Sequence, residues 1–292
     1  PPVEGATAQK IDQSEAEIVA GFITVVPLDY GVGIVCTTMD AVLFARNKLR
    51  ITWSNDAPAS AWSSENTLAE YQTIANDLAI KGSIWHERGD VKKAMQLSTQ
   101  IIEAAYQSDY AYHAQLEPMN ATATVGSNGD TAEIWVSTQT QTLTVYAAAK
   151  ALGTSHDKII VHPTYVGGGF GRRTHMQYVE DAVLLSKATG KPVKVTWTRE
   201  DDIKNGLFRP LSAHQLRAGL NQNGHITSWH HRVATPSVLA YFKPERWSKA
   251  EGLDVISMKS TENSNYNLPN MLIEHLITER QARIVPYRGI GA

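Results

Sequence analysis

The residues best suited to chemistry lie within residues 164–174, TYVGGGFGRRT, where four glycines surround one aromatic residue, Phe170. The glycines are Gly167, Gly168, Gly169 and Gly171. Glycine readily adopts positive φ and lets backbone N–H groups approach a ligand with no Cβ in the way. Arg172 and Arg173 follow directly, and both stay positively charged at physiological pH. We call residues 167–171 the glycine loop. This pattern of glycines and arginines predicts a site for an anion or a cofactor.

The glycine loop does not match the two common nucleotide-binding motifs. A dinucleotide fingerprint that starts at Gly167 needs a glycine five positions later, where this chain has Arg172. A P-loop needs Gly-Lys followed by Ser or Thr, whereas Gly190-Lys191 is followed by Pro192. Two alternatives stay open at this point: a turn that only lets a helix pack on a sheet, and a free-standing phosphate- or nucleotide-binding domain.

The elements on either side would hold the glycine loop in place. Residues 158–166 predict a buried strand and residues 176–188 predict a helix. A helix start offers unpaired N–H groups and a partial positive charge, which favour an anion. Residues 133–138 predict another strand, and a helix over residues 141–152 follows it and ends at Gly153.

Predicted strands and helices alternate along the chain, which indicates an α/β (α+β) fold. Residues 1–82 form a first α/β unit, and residues 83–108 read as a connection with one short helix and one strand. Residues 109–292 form a second unit that carries the glycine loop. This unit also contains a hairpin that turns at residues 221–224 and an irregular stretch over residues 236–269.

Composition indicates a globular protein and excludes several classes. The 292 residues are 42% hydrophobic and 19% charged, which fits a chain with a real core. A net charge of -2 gives no electrostatic argument for nucleic acid or membrane binding. No apolar run approaches the roughly 18 residues that a membrane span needs, and no export signal is visible at the start. Cys36 is the single cysteine, so this chain cannot hold an iron–sulfur cluster, which needs about four.

Four motifs together resemble a known family. They are HAQLEPMNA at residues 113–121, WVSTQTQ at 135–141, VGGGFGRR at 166–173 and YRGIG at 287–291. In this order they resemble the molybdopterin-binding large subunit of the xanthine oxidase family of molybdenum hydroxylases. The double arginine is most similar to the isoquinoline 1-oxidoreductase β-subunit branch, which includes membrane-associated aldehyde dehydrogenases. The resemblance implies that residues 1–82 are part of an α/β hammerhead domain. It also implies that residues 109–292 are the first part of a molybdopterin-binding domain, within an internal fragment or a split subunit.

The resemblance also implies roles for individual residues. Gln139 matches the glutamine whose amide hydrogen-bonds an oxo ligand of molybdenum. The implied cofactor-binding set is completed by Gly168, Gly169, Phe170, Gly171, Arg172 and Arg173. Thr174 and Arg288 match positions that line the substrate cavity. His113, Glu117 and Pro118 match a family signature and are interpreted as structural. No residue matches a direct metal ligand.

The resemblance also bears on the substrate and the reaction. Thr174 stands where purine-oxidising members carry a glutamate, which argues against purines and fits a heteroaromatic or aldehyde substrate. The family's catalytic base is a glutamate far downstream, so the resemblance implies no catalytic residue in this chain. The implied chemistry is hydroxylation of an electron-poor carbon with water as the oxygen source. A non-catalytic fragment or scaffold with the same fold and no bound metal is the alternative.

Cofactors and partners follow from the same resemblance. The expected cofactor is molybdopterin, as its cytosine dinucleotide, with molybdenum. The [2Fe-2S] clusters are expected on a small iron–sulfur subunit, since this chain has one cysteine. The remaining part of the large subunit and a cytochrome electron acceptor are the other expected partners. A bacterial periplasmic location is favoured slightly over a cytoplasmic one.

The other candidate residues predict structure rather than chemistry. His230 and His231 are adjacent on a predicted strand, so they face opposite sides and cannot chelate one metal ion. Asp201 and Asp202 are interpreted as helix-capping residues rather than an acid–base pair.

Overall fold

The computed structural model describes residues 1–287, and the chain divides into two compact units. Unit 1 combines Pro1–Ala61 with Ala114–Gly206. Unit 2 combines Trp62–His113 with the chain from Leu207 onward. In space, each unit thus draws on an early and a later part of the chain. The division of the sequence into three successive domains stays a prediction.

Strands and helices alternate along most of the chain, so the α/β fold class is confirmed. The strands are β1 Ala8–Asp12, β2 Phe22–Leu28, β3 Gly31–Cys36, β4 Arg50–Trp53, β5 Ser83–Arg88, β6 Gln100–Ser108, β7 Ala111–Tyr112, β8 Asn120–Val125, β9 Ala132–Val136, β10 Ile159–Pro163, β11 Val193–Thr196, β12 Phe208–Arg209, β13 Ser212–Leu220, β14 Ile226–Pro236 and β15 Met271–Thr278. The α-helices are α1 Ser14–Glu17, α2 Met39–Lys48, α3 Ser64–Asn76, α4 Val91–Gln96, α5 Gln141–Leu152, α6 Gln177–Thr189, α7 Arg199–Asn205, α8 Val238–Phe242, α9 Pro244–Trp247 and α10 Val255–Met258. Within residues 1–287, no helix combines the length and apolar character that crossing a bilayer requires.

Unit 1 is organised around a four-stranded sheet in the order β10-β9-β8-β11. Strands β9 and β10 are parallel, and α5 supplies the crossover that a parallel pair needs. Helices α5 and α6 pack on the sheet, and the core between them includes the fully buried residues Ile134, Val179 and Val183. The predicted bounds of α5 are confirmed, because Thr140 caps its first turn and Gly153 ends it in the left-handed conformation.

Unit 2 contains a five-stranded sheet in the order β5-β15-β14-β13-β6, with α3 packed against β13 and β14. The predicted connection over residues 83–108 supplies both edge strands. Strand β6 was predicted and β5 was not, although Gly82 and Gly89 bound β5 on either side. The stretch predicted as irregular over residues 236–269 holds the short helices α8, α9 and α10.

The first 61 residues pack on the helix that follows the glycine loop. A Cβ on Gly33 would lie 2.3 Å from Leu185 of α6, so only glycine allows this approach of β3 to the helix. The hydroxyl of Tyr30 donates to Asp181 of α6 at 2.9 Å, and the indole N–H of Trp197 donates to the other carboxylate oxygen at 3.1 Å. Asp181 therefore joins three separate parts of unit 1.

The titration of Asp181 gives a pH-dependent prediction. Burial raises the pKa of this carboxyl to about 6, although the hydrogen bonds from Tyr30 and Trp197 oppose the shift. Because its folded pKa lies above the ordinary value of 3.8, the folded state binds the proton more tightly. The free energy of unfolding should therefore decrease as pH rises from about 4 to about 6. Asp181→Asn should remove this slope, measured by urea unfolding at several pH values.

Tyr30→Phe is the companion variant. It removes one hydrogen bond to the ionised carboxylate, so the folded pKa of Asp181 should rise further and the decrease in stability should extend to higher pH. An Asp181→Asn variant that kept the full slope of the natural protein would show that other groups cause it.

Candidate functional site

Strand β10 ends at Pro163, three residues earlier than the predicted strand, and residues 164–166 lead into the glycine loop, which has an unusual backbone conformation. Gly168, Phe170 and Gly171 have positive φ of 90°, 51° and 105°. Phe170 is not a glycine, so its left-handed conformation is strained unless its surroundings hold it there. A short 3₁₀ turn, Arg172–Thr174, separates the loop from α6. The predicted strand–turn–helix order is present, but the 3₁₀ turn keeps the loop away from the helix start.

Gln139 contacts the glycine loop through its side-chain amide. Its Oε1 accepts from the backbone N–H groups of Gly171 at 3.0 Å and Arg173 at 3.2 Å. Two N–H donors fix the orientation of the amide, since only the oxygen can accept from them. Its Nε2 then faces away from these donors and has no acceptor within residues 1–287.

Steric contacts explain two of the glycines. A Cβ on Gly169 would lie 2.5 Å from Oε1 of Gln139, and a Cβ on Gly167 would lie 2.5 Å from the Cβ of Glu117. Any larger residue at either position would push the loop away from these two side chains. The loop therefore lies so close to Gln139 and Glu117 that these two positions have room only for glycine.

Arg173 is turned into the protein rather than toward a ligand. Its side chain is fully buried, and its five N–H donors match five acceptors. The acceptors are the carbonyl oxygens of Gly168, Ser137 and Glu117, the hydroxyl of Ser137 and the carboxylate of Glu117. Arg173 therefore presents no free charge at the loop surface, and its place in the cofactor-binding set stays a prediction. Any role in cofactor binding would act through the loop that it holds.

Arg172 is also fully buried. Its guanidinium lies 3.7 Å from Asp202 and 5.5 Å from the ring centroid of Trp197. Asp202 in turn accepts a hydrogen bond from Gln115, which lies under Gly168. Arg172 thus belongs to a buried polar layer beneath the glycine loop, and it presents no outward charge.

Glu117 is the residue whose role sequence reasoning missed. Its Oε2 accepts from the N–H of Gly167 at 3.0 Å and from Arg173 at 2.9 Å. Burial raises the pKa of Glu117, but hydrogen bonds from Asn120 and Gly167 and the charge of Arg173 bring the net pKa below the usual 4.5. The carboxylate is therefore ionised at neutral pH. The available signal was the place of Glu117 in the HAQLEPMNA motif, and the sequence did not indicate its pairing with an arginine 56 residues later.

The glycine loop carries several backbone donors without an acceptor among the described residues, although Gly169 is buried and only Gly168 and Phe170 reach the surface among them. The N–H groups of Gly168, Gly169 and Phe170 have no acceptor in the part of the chain that the structure describes. Successive backbone N–H groups in such a turn form a concavity that binds anionic oxygens. The Phe170 side chain is 56% exposed, and Leu116, Tyr165 and Val166 are also exposed. Together with Gln139 Nε2, these groups fit a flat, oxygen-rich ligand with negative charge.

Comparison with known proteins identifies the family. The profile of the molybdopterin cofactor-binding domain matches residues 75–292. This chain belongs to that family. The resemblance to the molybdopterin-binding large subunit of the xanthine oxidase family is therefore confirmed.

Two curated relatives belong to the expected branch. The chain is 32% identical over 303 residues to the isoquinoline 1-oxidoreductase subunit beta of Brevundimonas diminuta, covering 99% of this chain and 38% of that protein. It is 28% identical over 244 residues to the membrane-bound aldehyde dehydrogenase [pyrroloquinoline-quinone] of Gluconacetobacter polyoxogenes, covering 80% of this chain and 31% of that protein. The molybdopterin cofactor-binding chain therefore spans less than half the length of these relatives.

A solved structure supports the fold. The aldehyde oxidoreductase from Desulfovibrio gigas aligns with the whole molybdopterin cofactor-binding chain with a TM-score of 0.75 and 16% sequence identity, over 36% of that structure's chain. At this identity the likeness establishes the fold alone.

The remaining predicted site residues are placed as follows. The hydroxyl of Thr174 donates to the carbonyl of Gly171 at 2.6 Å, so Thr174 closes the 3₁₀ turn, and its place in a substrate cavity stays a prediction. Arg288 lies outside the described residues. His113 is buried in unit 2, where its ring contacts Tyr287 edge-on, which agrees with a structural role.

The residues interpreted as structural also have ordinary roles. His230 pairs with Glu274 and His231 with His214, so the two neighbours point in opposite directions as predicted. Asp201 forms a capping box with Thr198 at the start of α7, whereas Asp202 is fully buried. Residues 1–287 contain no group of three or more side chains arranged to hold a metal ion.

Substitution of Gly169 tests how tightly the loop lies against Gln139. Gly169→Ala places a methyl group 2.5 Å from Gln139 Oε1, so the loop or the amide must move, at a cost of about 1–3 kcal/mol in the free energy of unfolding. Gly31→Ala is the matched control, because its new methyl group would meet nothing closer than 3.8 Å. Urea unfolding of both variants checks the difference. Equal stabilities would show that the loop does not rest on Gln139 in solution.

Proposed function

We propose that this chain forms one wall of the molybdopterin cavity of a molybdenum hydroxylase that oxidises a heteroaromatic or aldehyde substrate with water as the oxygen source. The observation that carries the proposal is the contact between Gln139 and the glycine loop. The contact engages the Gln139 oxygen and leaves its Nε2 donor without an acceptor in residues 1–287, beside a loop in which three backbone N–H groups also have none. The family match supports the cofactor class, and the reaction is our inference.

The residues of the wall fit this cofactor. When bound, molybdopterin with molybdenum would supply the redox chemistry that removes two electrons from the substrate carbon. Gln139 would donate from Nε2 to an anionic oxygen of the bound group. The N–H groups of Gly168, Gly169 and Phe170 would bind further oxygens, and the missing Cβ atoms let the ligand approach the backbone.

This wall would act by preorganisation. Donors that are already aimed at developing negative charge need no rearrangement during the reaction, and they act more strongly where water is excluded. Phe170 and its exposed apolar neighbours would help to exclude water once the cavity is closed. The catalytic base is expected outside this chain.

The substrate class rests on Thr174 and on the relatives. Thr174 offers no charge, and its hydroxyl already donates to Gly171. A substrate held near it would gain no ionic contact from this position, which favours a weakly polar ring or an aldehyde over a purine. The two curated relatives carry isoquinoline and aldehyde in their names, which supports the same class.

The wider assembly is part of the proposal. We infer a cytosine dinucleotide form of the cofactor, a small iron–sulfur subunit with the [2Fe-2S] clusters, the remaining large-subunit chain and a cytochrome acceptor. The single Cys36 supports a separate iron–sulfur subunit. We also propose a periplasmic location in preference to a cytoplasmic one.

A metal-free scaffold with the same fold is the rival function. Molybdenum analysis of the complete complex separates the two, since the proposed enzyme should contain molybdenum in proportion to this chain. A complex that contains no molybdenum after purification under oxygen-free conditions would favour the scaffold.

Gln139→Glu tests the role of the amide. Glutamate keeps an oxygen that accepts from Gly171 and Arg173, but it replaces the Nε2 donor with an acceptor. Turnover per bound molybdenum in the complete enzyme should fall by about 10²–10³, as for the loss of one preorganised donor. Gln141→Glu, two residues away and exposed on α5, is the control and should keep the natural rate. Natural turnover in Gln139→Glu would exclude the proposed role.

A further inference from the structure

Glu117 contacts the first residue of the glycine loop and also Arg173, two residues beyond the end of the loop. Its backbone N–H donates to the carbonyl of Gly167 at 2.9 Å, and its carboxylate accepts from the N–H of Gly167 at 3.0 Å. Beyond the other end, Arg173 donates to the Glu117 carbonyl at 2.7 Å and to its carboxylate at 2.9 Å. One residue therefore fixes positions 167 and 173, and the loop between them is closed on Glu117.

The carboxylate of Glu117 makes contacts that its backbone cannot make. Oε2 accepts from Gly167, Arg173 and Ser137, while Oε1 accepts from Asn120. The Glu117 side chain is 33% exposed, whereas the guanidinium that it neutralises is fully buried. Removing the negative charge would leave a buried cation without a counter-charge, which destabilises the site strongly.

Arg173 carries this constraint to Gln139. The backbone N–H of Arg173 donates to Gln139 Oε1 at 3.2 Å, and the Arg173 carbonyl accepts from the Gln139 N–H at 3.2 Å. The guanidinium of the same residue also contacts the loop, because it donates to the carbonyl of Gly168 at 2.7 Å. The Arg173 side chain thus holds the loop at Gly168, and the Arg173 backbone holds the Gln139 amide, so one residue links both.

We propose that Glu117 is a positioning residue, which through Arg173 holds the glycine loop and the Gln139 amide in their donor-presenting arrangement before any cofactor binds. The proposal rests on the proposed function for its purpose, since the loop matters as the cofactor wall. Its physical content is separate, because it concerns order in the cofactor-free protein. Glu117 itself need not touch cofactor or substrate.

The test is hydrogen–deuterium exchange of the complete enzyme in its molybdenum-free form, resolved to single amides. The variant is Glu117→Gln, which keeps the shape of the side chain and removes the charge. The amides of Gly171 and Arg173 bond to Gln139 and not to Glu117, so they report transmission through Arg173. Both should exchange about tenfold faster or more in the variant. Exchange at both amides within about twofold of the natural protein would overturn the proposal.

Two comparisons separate positioning from general destabilisation. Glu133→Gln makes the same chemical change on β9, where the carboxylate pairs with His162 away from the loop, and it should leave both amides unchanged. The amide of Val179 in α6, bonded to Met176, should keep its protection in every variant. If Glu117→Gln loses that protection, Glu117→Asp decides, because it keeps the charge on a shorter arm. It should speed exchange at Gly171 and Arg173 with α6 intact, and unchanged exchange there would overturn the proposal.

Loaded enzyme gives an independent readout. Turnover per bound molybdenum should fall in Glu117→Gln and recover in part in Glu117→Asp, because the charge that orients Arg173 returns. Full natural turnover in Glu117→Gln would contradict the positioning role. A protein that never binds molybdenum would overturn the proposed function. The exchange experiment would still decide whether Glu117 positions the loop, because it uses the molybdenum-free protein.

Discussion

The site depends on one ion pair, in which Arg173 is fully buried and Glu117 is partly exposed. The Arg173 guanidinium has no contact with solvent, and only five acceptors at fixed positions make its burial tolerable. Those acceptors come from three places: the glycine loop at Gly168, the end of β9 at Ser137, and the segment before β8 at Glu117. A charged group that must be fully satisfied therefore ties these segments together. The buried charge of Arg173 therefore fixes the conformation of the loop.

Glycine and arginine have complementary roles in this arrangement. The arginine draws the surrounding segments inward, and the glycines let them come close enough to bond. Without a Cβ, Gly167 fits against Glu117 and Gly169 against Gln139. The strained conformation of Phe170 follows, because its neighbours on both sides are fixed and the chain has few other ways to join them. The same bare backbone that packs inward leaves N–H groups available outward.

Much of this could be predicted from the sequence, for physical reasons. Helix α5 has its own start and stop signals in Thr140 and Gly153, so its bounds could be predicted from neighbouring residues alone. The direction of the arginines was not local, because it depends on Glu117, which lies 56 residues earlier in the chain. Strand β5 was missed because it is a short edge strand, whose exposed residues lack a clear alternation. The family resemblance singled out Gln139 but did not predict its contact with the loop, since no spacing rule joins residues 32 positions apart.

The inward turn of both arginines changes how the loop can recognise a negative group. Arg173 is neutralised by Glu117, and Arg172 lies beside Asp202, so little unpaired positive charge remains at the loop. Attraction must then come from oriented N–H dipoles, which act over a short range and depend strongly on direction. Such a wall selects a ligand by the positions of its oxygens more than by its total charge.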